Sequence, residues 1–578
     1  MNRILKNMYV LVTTVVLLLC AAFVATKEPD VSPHFRIQNE FGQQRISIYD
    51  ARDGNHYVFL PSYADLEDVQ AVFSLGQNIC LDDFRLKNQM TCRNFELEKP
   101  YAFSVDGQEM GTLWFYKSKN VATMYIDTVS GKMTDIHNDK NYEEYATMTL
   151  YLPDGSVDYY DVSSKLKGRG NATWECDKRP YVLTLSGEGD LLGMGNANKW
   201  VLLANAYDET NLNNKLIYDM ASQVNFEWSP DSQFVDLYLN GKYNGLYLLT
   251  EKVEVHKNRL NLDKDAGDFL CKIDLASRMW AMQNPFETSC GRVVDICYPE
   301  VLSYLDLDNI QYLVYLMECE FRSGADLADS EILDLDSWVR RYLIDEISGN
   351  IDSDLASSYF YYSDGKMSAG PVWDYDMAFG NNLRNQEPNS FLAKNENKTA
   401  HLSSPYYSAL YGNEAFYNRM VELYRTEFSP VLQEMIGHGI DEQIETISAA
   451  SCMNSIRWRK MYAEWKNKTA GIVQSTEELK DYFVHRIQFL DSTWLSGREY
   501  CTVQFAPIPE SQNYVPYWNI SVEKGTCLET TYMNLVDTVW VDKKTGQPVD
   551  FQSPITEDMV VATKIEETKP AEDVFVEE

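Results

Sequence analysis

GNIDSDLASSYFYYSDGKMSAGPVWDYDMAFGNN, residues 349–382, is the stretch on which the reading of this chain turns. Asp352 stands just after a Gly-Asn pair, and a close carboxylate pair, Asp374 and Asp376, follows between Trp373 and a Phe379-Gly380 turn. The residues in between, SSYFYYSDGKMSAGPVW, predict two strands joined at Asp364-Gly365, because Asp-Gly supplies the left-handed backbone a tight hairpin needs. Such a hairpin brings its ends together and sets Asp352 beside Asp374 and Asp376. Side chains alternate along an extended segment, so Val372–Met377 should carry both carboxylates on one face. One carboxylate next to such a pair suits a base that orients a hydroxyl beside an oxygen-ligated Mg²⁺.

Outward from this stretch, the mode changes. Upstream lie alternating apolar runs: HFRIQN, HYVFLP and TLWFYK first, then the hairpins ATMTLYLPDGSVDYYDV and VDLYLNGKYNGLYLLTEKVEV. After Leu302 the periodicity turns helical in NIQYLVYLMECEFRS and LDSWVRRYLIDEISG, with further helices expected over about Glu414–Ile436 and Ser455–Ser496. A β-rich half followed by a mostly helical half is the order of a two-lobed α+β enzyme. The boundaries read as an all-β, sandwich-like module over 30–118, the main domain over 119–499, a small β module over 500–567 and an acidic, disordered tail over 568–578.

Composition narrows the classes of function. The formal net charge of −35 argues against a nucleic-acid binder and against binding an anionic membrane surface, while basic partners are favoured. Residues 1–29 are a targeting element: Arg3 and Lys6 precede the uncharged run Met8–Ala25, the layout of a signal peptide or a signal anchor. Export to a secreted or cell-surface position is therefore expected, with no other span long and apolar enough to cross a bilayer. Ten cysteines follow Cys20, and an oxidising compartment invites disulfides, with Cys80–Cys92 and Cys501–Cys527 the local pairs to expect. The absence of any C-x-x-C pair or HExxH makes zinc chemistry a poor fit.

Three further segments carry charge in informative places. KLKGRGNATWECDKRPY offers Lys167, Arg169, Lys178 and Arg179 around a Gly-Arg-Gly turn, suited to a phosphate or simply to a tight surface turn. GEGDLLGMG lacks any Walker pattern and reads as a connecting loop. Glu251 lies within a strongly apolar strand and calls for a cation, for which Lys178 is the natural choice.

Taken together, KLKGRGNATW…KRPY, WVLLANAYDETNLNNKLIYDMA, VDLYLNGKYNGLYLLTEKVEV, GNIDSD and GPVWDYDMAFGN resemble, in order, the spore coat protein H (CotH) kinase family over about Val121–Gly497. The C-terminal VEKGTCLETT…VWVDKKTGQPVDFQSPITEDMVVATK resembles the bacterial surface repeat of internalin B type, a small β-grasp-like module. The first resemblance implies an atypical two-lobed protein-kinase-like domain, a secreted or surface-anchored bacterial enzyme that transfers the γ-phosphoryl of ATP to Ser or Thr of a protein. It also implies Mg²⁺ or Mn²⁺ as cofactor and a basic, Ser-rich substrate as a fitting partner. Carried over by motif, Asp352 would orient the acceptor hydroxyl, Asp374 or Asp376 would hold metal, Lys178 would contact nucleotide phosphates with Glu251 as its ion-pair partner, and Arg169 would support the phosphate end.

Two departures from the family pattern stand out. Leu212-Asn213-Asn214 replaces a Leu-Arg-Asn, and Ser357 and Ser358 occupy positions where an Asn usually serves as a second metal ligand. They leave room for two rival readings: a catalytically inactive kinase fold used as a surface adhesion or scaffold protein, and a metal-dependent hydrolase using the same aspartates.

Overall fold

The computed structural model describes residues 32–563 apart from 93–94, 324–325, 351, 382–387, 389–390, 392–404, 470–474, 498–499, 506–517 and 528–538. The expected targeting segment and acidic tail lie outside the described residues. The chain is mixed α+β and divides into two compact units. One comprises Met1–Asn211, Asp231–Lys252 and Thr446–Asn467; the other comprises Leu212–Pro230, Val253–Glu445 and Lys468–Glu578.

The first unit is dominated by a closed barrel. Its strands are β1 (Ala122–Thr128), β2 (Glu143–Tyr151), β3 (Val157–Gly168), β4 (Tyr181–Asp190), β5 (Asn196–Leu203), β6 (Ser232–Leu239) and β7 (Lys242–Glu251). They run in the order β1-β2-β3-β4-β5-β7-β6, and a parallel pairing of β6 with β1 closes the ring. The upstream alternation predicts the hairpins but not their closure, which depends on that one long-range pairing. Closure satisfies every edge that an open sheet would leave unpaired. Alternate residues fill the interior: Met124 and Ile126 from β1, Leu237 and Leu239 from β6, Tyr247 and Leu249 from β7. The β6–β7 turn is Asn240-Gly241, both left-handed at φ 51° and 73°.

The N-terminal sandwich is built from a four-stranded and a six-stranded sheet. Its core does not stop at residue 118. Tyr125, Tyr151, Tyr238 and Tyr243 point outward from the barrel into the same cluster as Phe35, Phe59 and Phe115. Their hydroxyls are satisfied within it: Tyr238 donates to the Phe59 carbonyl at 2.9 Å, and Tyr63 and Tyr125 share a bond of 2.9 Å.

The second unit holds a five-stranded sheet: β8 (Phe269–Asp274), β9 (Pro285–Glu287), β10 (Val293–Tyr298), β11 (Ser358–Ser363) and β12 (Lys366–Ala369), in the order β9-β10-β8-β11-β12. Its helices include α1 (Asn213–Gln223), α2 (Tyr304–Arg322), α3 (Leu335–Ser348) and α4 (Glu414–Leu423). A capping box of Ser303 and Asp306 starts α2; Asp334 caps α3, which ends at Gly349 in the left-handed region. The C-terminal residues form a four-stranded sheet of Trp518–Glu523, Tyr500–Phe505, Met559–Thr563 and Trp540–Asp542 around Val503, Phe551 and Val561.

The late helices differ from the expectation. Helix runs from α4 through two π turns, Tyr424–Phe428 and Met435–Gly439, into α5 (Ile440–Thr469), and α6 (Thr476–Trp494) follows. The stretch between the two expected helices is itself helical: buried Met435 and Ile440 carry the helix past Gly437 and Gly439, packing overriding propensity. The expected disulfides are also absent: none of the ten described cysteines is in a disulfide. Cys80 sits on a strand of the six-stranded sheet, Cys92 follows one of the four-stranded sheet, and Cys501 is buried whereas Cys527 is exposed.

Residues Thr446–Asn467 of α5 seal the barrel against β7. The approach is closest at Gly245 (φ 115°), where a Cβ would lie 2.6 Å from Asn454 Oδ1 and 2.8 Å from Trp458 Nε1. Those atoms bind the adjacent backbone: Leu246 N–H donates to Asn454 Oδ1 at 3.2 Å and Trp458 Nε1 donates to the Asn244 carbonyl at 2.8 Å. Gly245→Ala is expected to cost about 2–4 kcal/mol, read as a lower urea midpoint of the full chain.

Candidate functional site

The hairpin at the centre of the sequence forms as expected. β11 and β12 pair from Ser363↔Lys366 to Phe360↔Ala369 around Asp364-Gly365, both left-handed at φ 51° and 79°. Its base brings residues just before β11 against those just after β12. Ser357 Oγ donates to Asp374 Oδ2 at 2.8 Å. Both residues occupy the left-handed region, at φ 51° and 71°. A non-glycine residue held there costs about 1–2 kcal/mol, and such conformations gather at functional sites.

That backbone twist corrects one expectation. Asp374 breaks the strand alternation, so Asp374 and Asp376 do not share one face of an extended segment. Asp374 is half-buried against Ser357, whereas Asp376 is buried and its Oδ1 accepts the Asn214 amide. Asn214 returns its oxygen to the Tyr375 N–H at 2.9 Å. Asn213 Nδ2 donates to the carbonyls of Asp376 and Ala378 at 3.2 Å each, and Asn381 Nδ2 to that of Asp376 at 3.0 Å. The first turn of α1 thus clamps the aspartate segment. The asparagine standing in place of a family arginine acts there as a donor to backbone.

Asp352 opens the loop that Ser357 closes. It is half-buried; its N–H donates to Asn350 Oδ1 at 3.1 Å, and its carbonyl accepts the Leu355 and Ala356 N–H groups at 3.0 Å each. Of the two serines at the metal-ligand position, only Ser357 is shown facing Asp374. Ser358 Oγ accepts from Arg341 Nη2 at 3.1 Å and from the Asp354 N–H at 3.3 Å. Two carboxylates and a hydroxyl are hard oxygen donors of the kind Mg²⁺ and Mn²⁺ take, with water and phosphate completing such sites. Among the described residues no group of three or more His, Cys, Asp or Glu is placed to hold a metal ion.

The cationic motifs lie in the first unit, and there the expected pairing fails. Lys178 is 0% exposed; its Nζ donates to the Leu246 carbonyl at 2.7 Å and lies 5.0 Å from the Tyr247 ring centroid. Glu251 sits five residues further along the same strand, about 16 Å away at strand rise, and accepts the Asp231 N–H at 3.0 Å. The two therefore cannot form an ion pair. The carboxylate near Lys178 is Asp236, register partner of Leu246 on β6. Gly168 and Gly170 admit no phosphate by their bareness alone: Trp174 and Thr173 fill the space, with a Cβ on Gly168 only 2.3 Å from the Trp174 ring. Arg169 is half-buried between them, its N–H donating to the Pro180 carbonyl at 3.2 Å.

Sequence reasoning missed Asp236, and it missed Arg341 and Asp345 on α3. The latter pair carried a signal, since opposite charges four apart on an otherwise apolar helix face meet. Asp236 carried none.

Asp236 yields a pH prediction. Burial pushes its carboxyl up to about 7, against the pull of the Ser118 and Tyr243 hydroxyls and the Lys178 charge. Unfolded aspartate titrates near 3.9, so folding takes up a proton between these values and this group's contribution to stability falls as pH rises through that window. Relative to Asp236→Asn, which stays neutral, the natural chain is expected to lose on the order of 4 kcal/mol between about pH 4 and pH 7–8. Thermal melts of both proteins across that range measure the difference.

No curated protein matches the chain. A family model described as CotH kinase protein matches residues 166–490, which include every aspartate, cation and asparagine of the site. That is more than half of the sequence, and the chain belongs to the CotH kinase family.

Proposed function

We propose that this protein is a kinase-type phosphotransferase that moves the γ-phosphoryl of ATP to a Ser or Thr of a protein, with Mg²⁺ or Mn²⁺. The carrying observation is the Ser357–Asp374 contact at the hairpin base, with both residues in left-handed backbone and Asp352 at the start of the same loop. Asp352 orients the acceptor hydroxyl and takes up its proton. Asp374, or Asp376, would hold the cation, which when bound would neutralise the charge of the transferred phosphoryl group. Asp374, half-buried and bonded only to a serine hydroxyl in the contact shown, is the more available of the two; Asp376 is shaped by Asn214. Lys178, shut away on the Leu246 carbonyl, is assigned to the barrel core instead, and Glu251 to the β7 end.

The apolar N-terminal segment and the surface-repeat-like C-terminal sheet support an exported enzyme held at the cell surface, and the net charge of −35 favours a basic, Ser-rich substrate. Ser357 in the place of a metal-binding asparagine favours a second reading, a kinase fold that binds nucleotide without transferring it and serves as a scaffold.

Incubating the purified full chain with γ-labelled ATP and Mg²⁺ or Mn²⁺ separates the two. Label transfer to itself or to a basic Ser-rich protein is expected, with Asp352→Ala lowering transfer about 10²–10⁴-fold while nucleotide binding persists. Asp374→Ala should weaken metal-dependent nucleotide binding itself. Binding without transfer in the natural chain selects the scaffold; neither binding nor transfer sinks both.

A further inference from the structure

We propose that Asp345 is a positioning residue of this site, a buried carboxylate that holds the Asp352 loop and the Asp374–Asp376 segment in a single arrangement. The inference takes its functional meaning from the phosphoryl-transfer reading and goes beyond it in naming what aligns the two halves of the chemistry.

Asp345 lies in the last turns of α3 and is 0% exposed. Its four bonds come from four different places. Oδ1 accepts the Tyr375 hydroxyl at 2.7 Å and the Asn350 amide at 3.2 Å. Oδ2 accepts Arg341 Nε at 3.0 Å and the Tyr407 hydroxyl at 2.8 Å. Tyr375 stands between Asp374 and Asp376, and Asn350 holds the Asp352 N–H through its own oxygen at 3.1 Å. One side-chain atom, Oδ1, thus ties both candidate segments.

Arg341 extends the tie. Its Nη1 donates to the Pro371 carbonyl at 3.1 Å and its Nη2 to Ser358 Oγ at 3.1 Å, one contact after the hairpin and one at its start. Burial opposes the Arg341 charge, but Asp345 more than offsets this and holds the guanidinium protonated. Burial likewise keeps the Tyr375 and Tyr407 phenols neutral and therefore able to donate. A buried ion pair of this kind is weak evidence for stability, since apolar residues of similar volume serve a core as well. What it supplies is geometry: a carboxylate with every acceptor site used leaves its partners one arrangement.

The test uses Tyr407→Phe in the full chain without nucleotide, followed by hydrogen exchange resolved by segment. Tyr407 bonds Asp345 from a separate helix, Pro405–Tyr411, and belongs to neither segment. If Asp345 positions both, amide exchange rises about 10–100-fold in residues 350–357 and in 371–381 together, the loss of one bond to a charged group. Tyr375→Phe cuts the same carboxylate from the other side and must raise exchange in 350–357 as well. A rise confined to the neighbourhood of each substitution, or a uniform rise throughout the unit, overturns the proposal. In a transfer-competent protein Tyr407→Phe should lower kcat about tenfold and leave the nucleotide KM within twofold. Coupled loosening without any transfer upholds Asp345 and removes the phosphoryl-transfer reading; transfer without coupled loosening does the reverse.

Discussion

The register of the β11–β12 hairpin is the constraint on which the site depends. A two-residue turn fixes Ser363 opposite Lys366 and therefore fixes which residues meet at the open end. A slip of one residue would turn Ser357 and Asp374 to opposite faces and send the Arg341 fork to the wrong neighbours. The turn specifies this register locally through Asp364-Gly365, and α3 specifies it again from below through Ser358 and the Pro371 carbonyl. Two independent devices enforce one geometry, as expected where backbone strain at Ser357 and Asp374 must be held.

Much of this was legible because it rests on short-range rules. The hairpin, its turn residues and the helical character of α2 and α3 follow from alternation, Asp-Gly and apolar spacing. What escaped is non-local or depends on one backbone angle. The left-handed φ of Asp374 is invisible in VWDYDM, and without it the alternation rule places two carboxylates on one face. The Lys178–Glu251 pairing failed because residue type was matched without strand position: Leu246, not Glu251, is the part of β7 that Lys178 reaches. Barrel closure escaped for the same reason, since nothing within β1 or β6 announces that the two will pair.

A strongly acidic chain also places its buried cations sparingly. Arg341 meets Asp345, Arg486 meets Glu346 at 2.6 Å, and Lys178 lies near Asp236. Each of these interior positive charges therefore sits with a carboxylate. α3 alone contributes Asp345 and Glu346 side by side, each with an arginine, which is why a helix buried on nearly every side tolerates two adjacent acids.

The tyrosine layer on the outside of the barrel bears on how this protein can be divided. Family similarity begins at residue 166, near the end of β3, while the barrel begins at β1. A fragment trimmed to the region of similarity would lack β1, β2 and all but the last three residues of β3, leaving β6 and β4 as raw edges able to pair with other chains. It would also uncover Tyr238 and Tyr243, which the sandwich now covers. The N-terminal region is thus the missing staves and outer wall of the barrel, and the smallest soluble piece of this protein must reach back to it.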